Sequence, residues 1–469
     1  MNKAMRASET TDRRIATVNP ATGETLAEYA MMTDAAVEQA IERAHAAFGK
    51  WREVPVSERG VTLRRLAQAI RRRGDEIADM MSREMGKLRG ASLDEVESCA
   101  AICEYSATEA AERLAEEERR LEGGGRGVVV YSPTGVIYGI QPWNFPLYQV
   151  IRYAAANLAA GNTVLLKHAE NVTGSALLTA ELFRDAGFPE GAFEVLVIDH
   201  DQSDKVIAHR LVRGVTMTGS SAAGAKIAAR AGAALKKTVL ELGSNDAFVV
   251  LEDADLDLAV EACVRGRVYN AGQTCIAAKR FVVVDRVYDA FRERFVNRMR
   301  ALKPGDPFSK DADFGPLARK DLRETLHEQV TKSVRKGATL LCGGEIPQGP
   351  GYYYPATVLE NVKPGMPAYD DELFGPVAAL IRVADEDEAM RVANDSRYGL
   401  GGGVFSRDVG RARRLASERF DTGMVFVNGY ALAQANMPFG GVKDSGYGRE
   451  HGGFGVLEFV NVKAVNILG

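Results

Sequence analysis

Two spacings of apolar residues divide the chain. Over residues 34–48 and 57–85, alanine, leucine and charged residues recur at intervals that put one apolar stripe on a helix, with Thr33-Asp34 and Ser57 as candidate caps. The first hundred residues therefore read as mainly helical. A long charged helix is predicted around residues 93–118, ended by Gly123-Gly124-Gly125. Residues 127–140 then read as two β-rich runs around Ser132-Pro133-Thr134-Gly135, a hairpin signal.

Beyond this point strands and helices alternate. Strand 163–167 is followed by helix 172–186, strand 193–198 by helix 203–209, and strand 214–218 by helix 222–231, with strand 238–241 last. Strands separated by helices need crossover connections, and therefore a mostly parallel sheet of the kind that binds nucleotides at its carboxyl edge. This first unit ends near Ser244. A second α/β unit is predicted from strand 248–251, helix 256–268, strand 280–284 and helix 287–300. Residues 459–468 read as a strand too late in the chain to pair easily inside either unit, which points to pairing across a subunit contact. No repeat at solenoid periods and no low-complexity segment appears.

Composition narrows the class of protein. With 469 residues, 46% hydrophobic and 26% charged, the chain has material for two or three domains with sizeable cores. A net charge of −4, with the signs interspersed, gives no basic field for nucleic acid. The N-terminal stretch has Lys3 and Arg6 but no apolar run of signal-peptide length, and no run reaches membrane-spanning length, so a cytoplasmic protein is expected. Five cysteines without CxxC pairs favour neither a disulfide framework nor a metal site.

Of those cysteines, Cys99, Cys103, Cys263 and Cys342 lie in apolar or helical contexts, where a buried thiol acts as a small hydrophobe. Cys275 differs. It follows Asn270-Ala271-Gly272-Gln273-Thr274 at the end of an apolar helical run, a small and flexible lead-in that presents a thiol to a ligand, and it is the candidate nucleophile. None of the six histidines has a context tying it to Cys275 as a thiol protease requires, so a Cys/His hydrolase is the weaker reading. Glu241 closes the apolar strand Thr238-Val239-Leu240, where desolvation raises a carboxyl toward a general base; a carboxylate capping the next turn is the alternative. Gly219-Ser220-Ser221-Ala222-Ala223-Gly224 follows a strand and opens a helix, so its N–H groups can meet a pyrophosphate, although it is neither GxGxxG nor a P-loop.

Taken in order, the chain resembles the aldehyde dehydrogenase superfamily from about Val18 to Val462. The resemblance rests on Pro142-Trp143-Asn144-Phe145-Pro146, Lys167-His168-Ala169-Glu170, Thr218-Gly219-Ser220 with Gly224, Glu241-Leu242-Gly243, Gly272-Gln273-Thr274-Cys275, Glu372-Leu373-Phe374-Gly375-Pro376, and Pro438-Phe439-Gly440-Gly441 with Ser445-Gly446 and Gly448-Arg449-Glu450. It implies an α/β fold with two doubly wound parallel-sheet domains and a small β oligomerisation element. Residues 1–120 and 138–244 would bind the cofactor, 245–445 would be catalytic, and 121–137 with 455–469 would join a homodimer or homotetramer.

The resemblance also assigns roles. Cys275 is the nucleophile, Glu241 the base that activates water on a thioester, and Asn144 the oxyanion donor, an interaction worth roughly 3 to 4 kcal/mol. Trp143, Lys167, Glu170, Gly219, Ser220, Gly224, Leu242, Glu372 and Phe374 match cofactor positions. Glu170 is suited to ribose hydroxyls and repels a 2′-phosphate, favouring NAD over NADP. Arg152, two turns beyond Asn144, and His168 with Asn428-Gly429-Tyr430 resemble a bacterial semialdehyde branch. Arg152 is accordingly expected to clamp a substrate carboxylate, as in succinic semialdehyde, with Tyr269, Gln434 and Asn436 at tunnel positions. Ser244-Asn245-Asp246 departs from the family pattern and puts a side chain near the expected nicotinamide. A CoA-acylating relative and an inactive binding protein are the alternative functions; the first typically lacks the base, and the second would not need Cys275, Glu241 and Asn144 together.

Overall fold

Two parallel sheets carry the chain. The computed structural model describes residues 9–122 and 124–468; Lys3, Arg6 and Gly123 lie outside them. The first sheet runs in the order Gly446–Tyr447, Lys237–Glu241, Val212–Thr218, Val136–Gln141, Thr163–His168, Phe193–Val195. Only its outer strand Gly446–Tyr447 is antiparallel. The second runs Thr339–Cys342, Thr357–Glu360, Val377–Val383, Arg280–Val284, Ala247–Val250, Gly402–Phe405, Phe426–Val427, with only Thr339–Cys342 antiparallel. Helices cover both faces of such sheets, so central strands are buried throughout; every residue of Thr163–His168, Ala247–Val250 and Arg280–Val284 is buried. That is why these strands appear in the sequence as unbroken apolar runs.

The carboxyl edge of the first sheet collects the motifs. Glu241 ends one strand, Thr218 and Gly219 lie at the end of its neighbour, and Lys167 and His168 end a third. Between them Val136–Gln141 leads directly into Pro142-Trp143-Asn144. Ligands bind at this edge in open α/β sheets because helix N-termini and loop amides face it.

Several elements differ from the sequence expectation. The N-terminal region is not helical throughout: Thr10–Val18 and Thr25–Met32 form an antiparallel pair. Their mostly polar composition hides the alternation, since Ile15 and Thr17 are buried between exposed neighbours. The helical run 57–85 is broken where Arg73 leaves helical geometry at φ −102 and ψ 18, giving Val56–Arg72 and Gly74–Met85, and Ser57 makes no cap. Thr33 does cap Asp34–Trp51, accepting from the Ala36 N–H at 3.1 Å. The long charged helix is Arg89–Arg113, with a strand Glu117–Arg120 after it.

The hairpin reading of residues 127–140 is overturned. Arg126–Pro133 pairs with Glu117–Arg120 and Val460–Ile467 in a separate three-stranded sheet, while Val136–Gln141 joins the first parallel sheet. Asn162 Oδ1 accepts from the N–H groups of Thr134 and Gly135 at 2.8 and 2.9 Å, and Gly135 at φ +138 redirects the chain between the two sheets. The C-terminal strand is likewise corrected: Val460–Ile467 pairs within the chain, in register from Val460 opposite Pro133 to Ile467 opposite Arg126.

Candidate active site

The lead-in to Cys275 is rigid, contrary to the flexible tripeptide expected. Asn270, Ala271 and Gly272 are all left-handed, at φ 53, 55 and 74. Such geometry in asparagine and alanine costs on the order of 1–3 kcal/mol each and persists only where surroundings impose it. Here the Asn270 carboxamide donates to the Asn144 carbonyl at 2.8 Å, Arg267 donates to the Gly272 carbonyl at 2.8 Å, and the Gln273 N–H returns to the Asn270 carbonyl at 3.0 Å. The Gln273 side-chain oxygen also accepts from the Ala318 N–H at 2.9 Å. A Cβ on Gly272 would stand 2.3 Å from the Gly375 carbonyl oxygen, so only glycine fits.

This turn places Cys275, partly exposed, on a narrow cleft of about 30 Å³ whose wall includes Phe145, Tyr148, Gln149, Thr274 and Phe439. Burial pushes its thiol up to about 12, with Arg152 and Lys279 pulling it down and Glu372 and Glu241 pushing it further up. Cys99, Cys103 and Cys263 are fully buried, and burial raises each of them.

Neither Asn144 nor Glu241 lines that cleft; Asn144 reaches the nucleophile turn at Gln273, and Glu241 bears on Cys275 through its charge. The Asn144 carboxamide is held at both ends: its NH2 donates to the Gln273 carbonyl at 3.1 Å and its oxygen accepts from Gln149 at 3.2 Å. One NH2 hydrogen of Asn144 remains uncommitted, and among the described residues the Cys275 N–H has no acceptor. Two such donors are the elements of an oxyanion hole. Glu241 is 2% exposed and neither carboxylate oxygen has a hydrogen-bond partner, so nothing ties the group in place. Burial drives its carboxyl well above the usual range, Arg152 opposes this, and Glu450 adds to it. One oxygen lies where a Cβ on Gly440 would come within 2.8 Å.

Arg152 stands behind the cleft wall rather than on it. Its side chain is 1% exposed and ion-paired to Glu450, and it donates to Thr218 Oγ1 at 2.8 Å. The guanidinium lies 5.3 Å from the Tyr148 ring and 4.8 Å from the Phe439 ring, behind two residues that wall the cleft. Glu450, 298 positions later in the chain, lies against Nε, while Nη1 has no hydrogen-bond partner among the described residues. Tyr269 also stands back from the wall, stacked on Phe145 at 6.3 Å and 14°, while Gln434 and Asn436 are exposed.

The cofactor positions gather along the first sheet's edge. Ser220 caps the helix Ser221–Ala233, accepting from the Ala223 N–H, and the next turn of that helix approaches the sheet so closely that a Cβ on Gly224 would meet Leu242 at 2.5 Å. The helix N-terminus thus offers amides and positive dipole at a glycine-lined opening, which fits a pyrophosphate. Lys167 is 5% exposed and makes no ion pair or hydrogen bond among the described residues, and burial lowers its pKa; Glu170, three residues on, is exposed. Trp143 packs edge-on against Phe374 at 5.7 Å. Ser244 does not project toward the opening: it is fully buried and its hydroxyl donates to Asp246.

Sequence reasoning missed two buried charge systems. Lys87 and Glu95 form an ion pair with side chains 0% and 1% exposed, and Glu95 also accepts from the N–H groups of Leu147 and Tyr148 at 2.9 Å each. Lys279, buried behind Cys275, donates to the Cys275 carbonyl at 2.5 Å and lies 3.2 Å from Glu372. Single charges on apolar helices or strands were the only signal available, and a charge is almost never fully buried unless paired.

A cysteine on a cleft, a buried unpartnered carboxylate and a helix N-terminus at the first sheet's carboxyl edge fit a thiol-dependent oxidoreductase of the aldehyde dehydrogenase type. The family model for the aldehyde dehydrogenase family matches residues 6–465, and the chain belongs to that family. It is 47% identical over 465 residues to the NADP(+) succinate-semialdehyde dehydrogenase of Deinococcus radiodurans, covering 99% of this chain and 97% of that protein. It is also 47% identical over 448 residues to the NAD(P)+ succinate semialdehyde dehydrogenase Sad of Escherichia coli, covering 96% of each. Among solved structures, succinic semialdehyde dehydrogenase from Streptococcus pyogenes in complex with NADP+ matches with a TM-score of 0.94 at 39% identity, covering 97% of this chain and all of that one.

Proposed function

We propose that this chain oxidises succinic semialdehyde, or a similar aldehyde bearing a carboxylate, to the acid with NAD(P), and that Cys275, Glu241 and Asn144 carry the reaction. The observation that supports this most is the rigid left-handed turn that sets Cys275 on the cleft, with a free donor on Asn144 and on its own N–H. The Cys275 sulfur attacks the carbonyl carbon, and the two donors hold the resulting oxyanion. Bound nicotinamide supplies the hydride acceptor. Glu241 then takes a proton from water, the hydroxide attacks the thioester carbon, and the acid leaves as the thiol is restored.

Lys167, Glu170, Gly219, Ser220, Gly224 and Leu242 would hold the adenosine and pyrophosphate side of the cofactor, with Trp143, Glu372 and Phe374 around it. The exposed Glu170 carboxylate accepts from ribose hydroxyls and repels a 2′-phosphate, which favours NAD here although NADP(+) stands in the name of the Deinococcus relative. The substrate carboxylate would meet the hydroxyls of Ser98 and Thr274 on the cleft wall and the positive field of Arg152 behind Tyr148 and Phe439. Residues 1–120 and 138–244 would form the cofactor domain, 245–445 the catalytic domain, and 121–137 with 455–469 the contact of a cytoplasmic homodimer or homotetramer. Val462, 61% exposed on the edge strand of the small sheet, is an apolar side chain such a contact would cover.

The test is formation of reduced cofactor from succinic semialdehyde and from butyraldehyde, with NAD and with NADP, in the absence of CoA. The expected result is acid product without CoA, and a kcat/KM at least about tenfold higher for the carboxylate substrate, a difference of about 1.4 kcal/mol. Equal efficiencies would remove the substrate assignment, and a strict requirement for CoA would remove hydrolysis by Glu241.

A further inference from the structure

One buried ammonium touches both halves of the proposed chemistry. Lys279 begins its path just after the nucleophile turn, at the start of the second sheet, and is 0% exposed. Its Nζ donates to the carbonyl of Cys275 at 2.5 Å and to that of Thr274 at 3.3 Å, and it forms an ion pair with Glu372 at 3.2 Å. Glu372 in turn lies against the turn after Glu241, where a Cβ on Gly243 would stand 2.7 Å from its carboxylate. Two carbonyls of the nucleophile turn and one carboxylate thus share a single buried cation.

We propose that Lys279 is a positioning residue that links occupation of the nicotinamide-ribose site to the reactivity of Cys275. The proposal rests on the reading above that Glu372 receives the ribose. Without cofactor, Glu372 and the two carbonyls divide the ammonium between them. When ribose hydroxyls donate to Glu372, its negative charge is partly neutralised, and Lys279 bears more fully on the nucleophile turn. A cation hydrogen-bonded to the residue's own carbonyl stabilises a thiolate on that residue, because charge interactions gain strength away from water. The step is one of position and charge only; no bond to Lys279 forms or breaks.

Other charges bear on the same sulfur and set the background. Arg152 also favours the thiolate, whereas Glu372 and Glu241 disfavour it, and the Tyr148 and Tyr430 hydroxyls lie within the field of Cys275. Asp246 and Arg267 act on the Lys279–Glu372 pair from the neighbouring strand and helix. Glu372 is paired with Lys279 and not with Arg152, so a change of charge at Glu372 reaches the nucleophile turn through Lys279, beside the direct effect of Glu372 on the sulfur.

The experiment follows the rate of Cys275 alkylation by iodoacetamide against pH, with and without saturating NAD, correcting for other thiols with Cys275→Ala. It uses the full-length protein, Lys279→Met, and the charge-neutral Lys279→Met/Glu372→Gln. In the unaltered protein NAD is expected to lower the alkylation midpoint by about one pH unit. In Lys279→Met the midpoint without NAD rises by about one unit and the NAD-dependent fall is at least halved, leaving only the direct effect of Glu372 on the sulfur. In the double variant, where both charges are gone, the midpoint without NAD returns toward the original and does not respond to NAD. That return is a result a merely structural lysine would not give, and the double variant decides the matter if the single one fails to fold. An unchanged midpoint in Lys279→Met, or an NAD-dependent fall that survives in the double variant, overturns the proposal. Aldehyde-dependent NAD reduction by Cys275→Ala would instead overturn the function reading itself, so the two failures are distinguishable.

Discussion

Glu95→Gln isolates one buried charge. The glutamine oxygen can still accept from the N–H groups of Leu147 and Tyr148, so the perturbation is the loss of a negative charge beside Lys87. Lys87 has a side chain 0% exposed, lies 3.7 Å from the Phe145 ring centre, and already has its pKa lowered by burial, against which Glu95 acts. Removing one partner of a buried pair costs about 3–5 kcal/mol. The lysine has one escape, which is to release its proton. Keeping a group of ordinary pKa about 10.4 neutral at pH 7 costs about 4.6 kcal/mol, at about 1.36 kcal/mol per pH unit. The two figures agree, so the variant should lose about 3–5 kcal/mol at pH 7 with Lys87 largely neutral in the folded state.

The sign of the pH dependence follows. The folded variant has a depressed lysine and lacks a proton that the unfolded chain binds, so stability rises with pH, by up to about 1.36 kcal/mol per unit between pH 7 and 9. The assay is urea unfolding followed by tryptophan fluorescence at pH 7, 8 and 9. The chain's two tryptophans, Trp51 and Trp143, both belong to the first unit, so the signal reports the part that contains Lys87. Glu95→Gln/Lys87→Met should recover to within about 1 kcal/mol of the original and lose the pH slope. Equal destabilisation of the single variant at pH 7 and pH 9, or no destabilisation at pH 7, would refute the reasoning.

Four further outcomes are expected. Glu241→Gln should give a burst of about one reduced cofactor per site and then stall as an acyl enzyme, seen by stopped-flow absorbance; full steady-state turnover would call for another base. Arg152→Met should reduce kcat/KM more on succinic semialdehyde than on butyraldehyde, because the guanidinium's charge bears on the substrate carboxylate through the cleft wall; equal losses on both would remove Arg152 from substrate selection. Gly272→Ala puts a Cβ within 2.3 Å of the Gly375 carbonyl oxygen at φ 74, and the displaced turn should lower kcat by about a hundredfold while cofactor binding, read by fluorescence titration, persists. His168 is buried, holds hydrogen bonds at both ring nitrogens, and has its pKa pushed down to about 4 by burial, so the unfolded chain binds the extra proton as pH falls below 6.5 and up to about 3.4 kcal/mol of stability is lost by pH 4; His168→Gln should flatten that slope in urea midpoints.

What the sequence made legible is local. Alternating apolar runs gave most of the first parallel sheet but only two of the seven strands of the second, Ala247–Val250 and Arg280–Val284, because central strands buried on both faces are mostly apolar. Glu241 stood out because a carboxylate at the end of an apolar strand is costly, and its two unpartnered oxygens agree with that reading. Sheet membership was less legible. Arg126–Pro133 and Val136–Gln141 look like hairpin partners, and only the Asn162 side chain, 27 positions beyond Gly135, shows that the chain leaves one sheet for another there. The N-terminal pair of strands was hidden by the polar composition of its exposed face.

The partner of Arg152 was hidden for the same reason that Lys87, Glu95 and Lys279 were passed over. An arginine on a helix beside a proposed oxyanion donor suggests a ligand for its charge, and the ligand turned out to be Glu450, brought in by a strand-like bridge between Phe439 and Glu450. Each partner of these buried cations lies on a different element from the cation itself, so sequence shows half of each pair. Their arrangement is nevertheless ordered. Lys87 bears on the loop of Asn144 through Glu95 and Phe145, Lys279 on the turn of Cys275, and Arg152 on Glu241 and Glu450. Cys275 thus feels two buried cations, Arg152 and Lys279, and each of the three cations is held by a carboxylate that is not assigned a step in the reaction.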